Sequence, residues 1–210
     1  MTTDFKDRAP SSQSLRFRLR DRTQDSHQRL DASLEAQGMM RSLDGYRAIL
    51  KRFIGLYRPL ERQLEAIAWG ASGIDAAQRQ KAGWLKADLE NLGLSSDEIE
   101  RLPDCSSLPR MSSVPEGLGA LYVIEGATLG GQVIIRHIQS ELQIDAASGG
   151  RFFSAYGDRT GLLWREFVAV LDRHGHDREA AATIENTAIE TFRCFESWMC
   201  GAEQGEAVSG

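Results

Sequence analysis

The sequence predicts an all-α protein, and three observations predict it. Apolar residues recur at helical period along almost the whole chain. No stretch shows the two-residue alternation of a half-buried strand. The breaks between periodic segments fall at Ser, Asp, Gly and Pro residues of the kind that start or stop helices. The chain has 210 residues, 41% hydrophobic and 26% charged, which suits one core built without disulfides or structural metals.

Taken in order, residues 1–13 are polar, end near Pro10-Ser11-Ser12, and read as a flexible N-terminal arm. Residues 14–200 read as one helical domain and residues 201–210 as a flexible tail. The first helix is expected over 14–36, stopped by Gly38. A second runs over 43–69, and Pro59 within it should kink or break it. A third covers 76–92, ended by Gly93. Ser95 and Glu98 have capping-box spacing and open a short turn before Pro103, after which 103–113 form a Pro/Ser-rich loop. Ser113, Pro115 and Glu116 start a long helix reaching Leu142. After a loop at Gly149-Gly150, Asp158 starts a helix through Leu171 that Gly175 ends, and Asp177 caps a last helix to Met199.

Composition removes several function classes. Net charge is −5, against nucleic acid as a main partner, although residues 1–30 carry +3 and the remainder −8. No apolar run reaches the roughly 20 residues of a membrane helix, and the start of the chain lacks an apolar signal core, so no membrane association and a cytoplasmic location are expected. Cys105, Cys194 and Cys200 form no CxxC pair and fit reduced thiols. There is no phosphate-loop motif, and no histidine follows a Glu at the three-residue spacing of a di-iron bundle.

On the first helix, Leu15, Leu19, Thr23, His27, Leu30 and Leu34 fall within an arc of about 120°, while Arg16, Arg18, Arg22 and Arg29 lie mostly outside it. His27 therefore belongs to the buried stripe. An imidazole there is either a hydrogen-bonded core histidine or a ligand to a metal or haem iron, with Asp31 one turn on to orient it.

The long helix carries Gly119, Gly126, Gly130 and Gly131. Four helical glycines cost roughly 2–4 kcal/mol against alanine. Gly119, Gly126 and Gly130 share a stripe flanked by Tyr122 and Val133, giving a bare strip of main chain that admits something flat or bulky. Tight helix packing is the ordinary explanation of such a strip, but Gly131 is surplus to it.

Together, the two helices resemble the haem oxygenase family. Leu19-Arg20-Asp21-Arg22-Thr23-Gln24-Asp25-Ser26-His27 is similar to its proximal helix. Leu121-Tyr122-Val123-Ile124-Glu125-Gly126-Ala127-Thr128-Leu129-Gly130-Gly131-Gln132 is similar to its distal helix. Arg151-Phe152-Phe153-Ser154-Ala155-Tyr156-Gly157, with Trp164 and Phe167, looks like the bacterial biliverdin-producing branch, of the type associated with bacteriophytochromes. The resemblance implies a single-domain helical fold with haem between a proximal and a kinked distal helix. It implies that haem is both cofactor and substrate, opened with O2 and an external electron donor to biliverdin, CO and ferrous iron. His27 would be the axial ligand of the iron. Arg20, Thr23, Tyr122, Gly126, Gly130 and Gly131 would bind haem. Gly126 and Gly130, as the catalytic backbone, would crowd oxygen towards the porphyrin edge. A haem store, carrier or sensor without turnover is the alternative, and a related fold with another cofactor a third reading.

The resemblance also has a departure. Animal members carry an aspartate where this chain has Ala127, so proton delivery would pass to backbone carbonyls or Thr128. Arg193 is the nearest basic residue in the last helix for a propionate. Arg16, Arg18, Arg20 and Arg22 form a basic collar, which is either a solvated face or a dock for an acidic electron donor. The implied partners are haem, a donor protein or small reductant, and a bacteriophytochrome receiving biliverdin. His137 reads as a core or rim residue, and His174 and His176 as helix-end residues.

Overall fold

The structure is a computed structural model and describes residues 14–36 and 41–200. The terminal arm and tail, and the stop at Gly38, lie outside the described residues. Among the described residues eight α-helices follow one another: α1 (Leu15–Ala36), α2 (Leu43–Ala66), α3 (Ala82–Asn91), α4 (Ser96–Glu100), α5 (Val114–Leu142), α6 (Arg151–Ser154), α7 (Thr160–His174) and α8 (Arg178–Met199). Short 3-10 turns occupy Gly70–Ser72, Ala77–Arg79 and Gly157–Arg159. No strand occurs among the described residues.

Caps set the helix starts where the sequence places them. Ser95 with Glu98 and Ser113 with Glu116 form reciprocal capping boxes, and the Asp177 carboxylate accepts from the backbone N–H groups of Glu179 and Ala180. Gly93 ends the α3 turn at φ +94°, in the left-handed region that glycine enters freely.

Pro59 does not break α2, which runs unbroken to Ala66. Proline has no N–H to give the carbonyl four residues back. That carbonyl belongs to Gly55, and the Cys105 backbone N–H donates to it at 2.8 Å. The 103–113 loop thus repairs the gap, and it sits tightly on Gly55, where an added Cβ would meet the Pro103 carbonyl and lie 2.9 Å from Trp198.

The expected third helix is split. The chain leaves a 3-10 turn at Arg79, and Lys81 and Ala82 donate their backbone N–H groups to the Glu61 carboxylate of α2 at 2.6 and 3.1 Å. A side chain from another helix thereby fixes the start of α3. The short helix α6 was not expected either. Asp88 of α3, fully buried, accepts from the backbone N–H groups of Arg151 and Phe152 at 2.8 and 2.7 Å and acts as its cap.

α8 is the common wall of the fold. α5 packs along it most extensively, α1 next, and α2 also touches it. Phe53 and Tyr57 of α2, Phe152 and Phe153 of α6 and Phe195 of α8 form an aromatic cluster with centroids 5.0–6.2 Å apart. Contrary to the sequence expectation, α5 is long and apolar enough to cross a membrane, but half of its most apolar stretch is buried within the protein. It is the central helix of the bundle.

Candidate functional site

α1 and α8 are fastened by charge. Arg18 donates to Glu185 at 2.8 Å, Arg22 pairs with the same carboxylate, and Arg29 reaches Glu196 at 2.7 Å. Half of the expected basic collar is therefore spent inside the protein. Arg16 and Arg20 remain on the other side, where both guanidinium groups lie against the exposed Phe17 ring, 5.5 and 5.2 Å from its centre. Arg20 also pairs with Asp21 at 3.1 Å.

The apolar stripe of α1 is buried at Leu15, Leu19 and Thr23 and half-buried at Leu30. His27, expected in line with them, instead has a side chain 56% exposed. α1 packs on α8 and α7, and the His27 ring lies 6.0 Å centre to centre from Phe192 of α8. Its Nδ1 lies 2.9 Å from Asp31 Oδ2. With the Nδ1 proton donated to Asp31, the lone pair is left on Nε2, the form of imidazole that ligates a metal.

Thr23 and Tyr122 join α1 to α5. The Thr23 hydroxyl donates to the Leu19 carbonyl at 2.8 Å. Burial pushes the Tyr122 phenol upwards, while its hydrogen bond with Thr23 and the charges of Arg16 and Arg20 pull it back. Tyr122 also stacks at 6.0 Å on Trp164 of α7.

The glycines of α5 do not form one strip. A Cβ on Gly119 would stand 2.5 Å from the Ile184 carbonyl, so Gly119 is where α5 presses on α8. Gly131 faces α6, where a Cβ would meet the Phe153 carbonyl at 2.8 Å. Gly131 thus packs against α6 rather than opening beside Gly130. Gly126 has only Trp164 nearby, at 3.8 Å, and Gly130 has nothing within 4 Å. Beside Gly130, Leu129 is 41% and Val133 62% exposed. The bare strip therefore spans residues 126–133 alone. A Cβ on Gly130 would enter open space among the described residues, so a flat apolar group could lie against the main chain there.

Ala127 is exposed and offers no polar group. The Thr128 hydroxyl is buried and donates to the Glu125 carbonyl at 2.6 Å, so its proton is already committed to the helix. Arg193 lines a cavity with Ser107, Pro109 and Cys194 rather than standing with the His27 group. His137 is an exposed residue of α5, and His174 ends α7.

Directly before Gly126, a charge cluster missed from the sequence holds the helix from behind. Glu125, 1% exposed, accepts from Arg79 at 2.6 Å, from Lys81 Nζ at 2.6 Å and from the Tyr156 hydroxyl at 2.8 Å. Burial lowers the Lys81 ammonium, and Glu125 opposes that shift. Burial, then the Glu125 charge, raises the Tyr156 phenol. Arg79 Nε is buried with no hydrogen-bond partner among the described residues, and its guanidinium lies 5.6 Å over Phe167. The signal for this cluster was one acid, Glu125, directly after the apolar run 120–124, a charge that must find partners once buried.

The family model described as Heme oxygenase matches residues 13–200. The chain is 29% identical over 193 residues to the heme oxygenase PigA of Pseudomonas aeruginosa, covering 89% of this chain and 93% of that protein. It is 32% identical over 156 residues to a heme oxygenase of Xanthomonas campestris pv. campestris, covering 74% and 89%. Its fold matches the NO- and CO-bound heme oxygenase of Neisseria meningitidis with a TM-score of 0.77 at 21% identity, covering 94% of this chain and 96% of that one. Relatives named as enzymes favour turnover over a haem store or sensor.

Proposed function

Since this chain belongs to the haem oxygenase family and converts haem to biliverdin with release of CO and ferrous iron, we propose that haem is held between His27 of α1 and the 126–133 face of α5. Haem supplies the redox-active iron and is itself the substrate. His27 Nε2 ligates the iron, while Asp31 holds Nδ1–H and so fixes the tautomer and the ring plane. Phe192 flanks the ring.

Gly126 and Gly130 let main chain approach the opposite haem face without a Cβ. Leu129 and Val133 shed water from its edge. Thr23 and Tyr122 keep the two helices in register. Arg16 and Arg20 offer positive charge at the rim, suited to propionates and to an acidic electron donor. With Ala127 apolar and the Thr128 proton committed, water carried on main-chain groups of the glycine turns delivers protons. O2 and an external donor protein or small reductant complete the reaction. We place it in the cytoplasm, its product passing to a bacteriophytochrome or, for the iron, to the cell's supply.

One observation carries the assignment of the site. An imidazole with Nδ1 engaged stands 56% exposed on a stripe where Leu15, Leu19 and Thr23 are buried and Leu30 is half-buried. Haemin titrated into the protein should give a histidine-ligated spectrum that is lost in His27→Ala, and a reductant in air should replace the Soret band with biliverdin absorption. Retention of the same ligated spectrum in His27→Ala would remove His27 from the site.

A further inference from the structure

Away from the His27 face, the 103–113 loop and α8 bring two thiols together. Cys105 Sγ and Cys194 Sγ lie 3.4 Å apart although the residues are 89 apart in sequence, and Ser107 Oγ is 3.5 Å from each. Both side chains are buried, at 4% and 6% exposure. Their backbones are held independently. Cys105 N–H is bonded to the Gly55 carbonyl opposite Pro59, and the adjacent Asp104 is bound by Arg58 at 2.9 Å and by Arg62. Cys194 sits mid-helix in α8. Cys194 and Ser107 also line a cavity of about 350 Å³ with Pro109, Glu190, Arg193 and Ser197, which gives a small polar molecule access to the sulfur.

Two buried thiols can pack as small apolar groups. These two meet in a polar corner, with a hydroxyl between them and an opening at one side. A disulfide needs sulfurs about 2.05 Å apart, so roughly 1.4 Å of closure separates this pair from a bond. We propose that Cys105 and Cys194 are a reversible dithiol–disulfide modification site that reacts with peroxides. The Cys194 thiolate, on the cavity wall, attacks the peroxide O–O bond. An S–O bond forms, the O–O bond breaks, and the departing oxygen leaves as water after taking a proton. Cys105 then attacks the sulfenic sulfur. The S–S bond forms, the S–O bond breaks, and the hydroxyl leaves as a second water with the Cys105 proton. Two thiols are oxidised by two electrons and one peroxide is reduced. The bond rivets the loop that repairs α2 to α8, two residues from Phe192, which flanks His27. The site does not depend on how haem is held.

The test uses the full chain with Cys200→Ser, which removes the exposed third thiol. After hydrogen peroxide treatment, unfolding in denaturant and alkylation, peptide mapping should give a linked Cys105–Cys194 pair that dithiothreitol releases. The oxidised form should melt roughly 5 °C or more higher, because the bond closes a long loop. Wild-type chain mapped the same way keeps the test valid should the variant fold poorly. Both sulfurs still alkylated after peroxide, or sulfinic acid that dithiothreitol does not reverse, would overturn the assignment.

Discussion

The two halves of α5 use the same residue for opposite ends. In the first half, Gly117 lies under Trp69 and Ile67, Gly119 lies on the α8 backbone, and every residue from 117 to 125 is buried. In the second half, a Cβ on Gly130 would meet nothing within 4 Å among the described residues, and Leu129 and Val133 are exposed beside it. A helical glycine weakens a helix by roughly 0.5–1 kcal/mol. At Gly119 close packing recovers that cost. At Gly130 nothing among the described residues does, and the proposed haem face would account for the glycine there. A glycine run in a helix says little until its neighbours are known, and the unrecompensed glycine is the informative one.

The comparison breaks most sharply at Gly119. A methyl there would stand 2.5 Å from the Ile184 carbonyl, 2.8 Å from Thr187 Cβ and 3.0 Å from the Ala188 nitrogen. Backbone cannot swing aside, so α5 and α8 must part. Gly119→Ala should lose about 2–4 kcal/mol of stability in denaturant unfolding, net of alanine's helix preference. Wild-type stability in that variant would mean that α5 does not press on α8 as described.

The same contrast marks what the sequence could and could not tell. Helix starts were legible because Ser95/Glu98, Ser113/Glu116 and Asp177 act on their own neighbours. The stripe of α1 was legible as a stripe, yet the exposure of His27 was not, because it depends on what remote helices place against that turn. Pro59 misled for a similar reason. The donor that rescues the Gly55 carbonyl comes from Cys105, far along the chain. Gly131 read as surplus because Phe153, its partner, sits on a four-residue helix capped by Asp88 from elsewhere. Local chemistry was readable, and remote partners were not.

The packed interior around that buried half can be sharpened through an acid of α2. Burial in α2 pushes the Glu61 carboxyl up to about 6, against 4.5 for an ordinary one, although Lys81 and Ala82 donate to it. The folded state therefore holds this proton more tightly than the unfolded state. As pH rises from 4.5 to about 6 the unfolded chain loses its proton first, and stability falls across that window. Glu61→Gln lacks this titration. Relative to the variant, the wild type should gain about 1.5 kcal/mol between pH 7 and pH 4.5. A stability difference flat in pH would show that Glu61 is ionised in the fold at an ordinary pKa.

The exposed half should answer to alanine with the opposite sign. A methyl on Gly130 meets nothing within 4 Å. Without haem, Gly130→Ala gains helix preference and should stabilise the protein by about 0.5–1 kcal/mol, seen as a higher denaturant midpoint. With haem, the methyl occupies the space proposed for the haem face, so affinity for haemin and the rate of biliverdin formation should both fall. Stability up with haem binding down is a combination that a packing glycine cannot give. A loss of stability in the haem-free variant would put Gly130 in the same class as Gly119, and the division of α5 into a packing half and a binding half would fail.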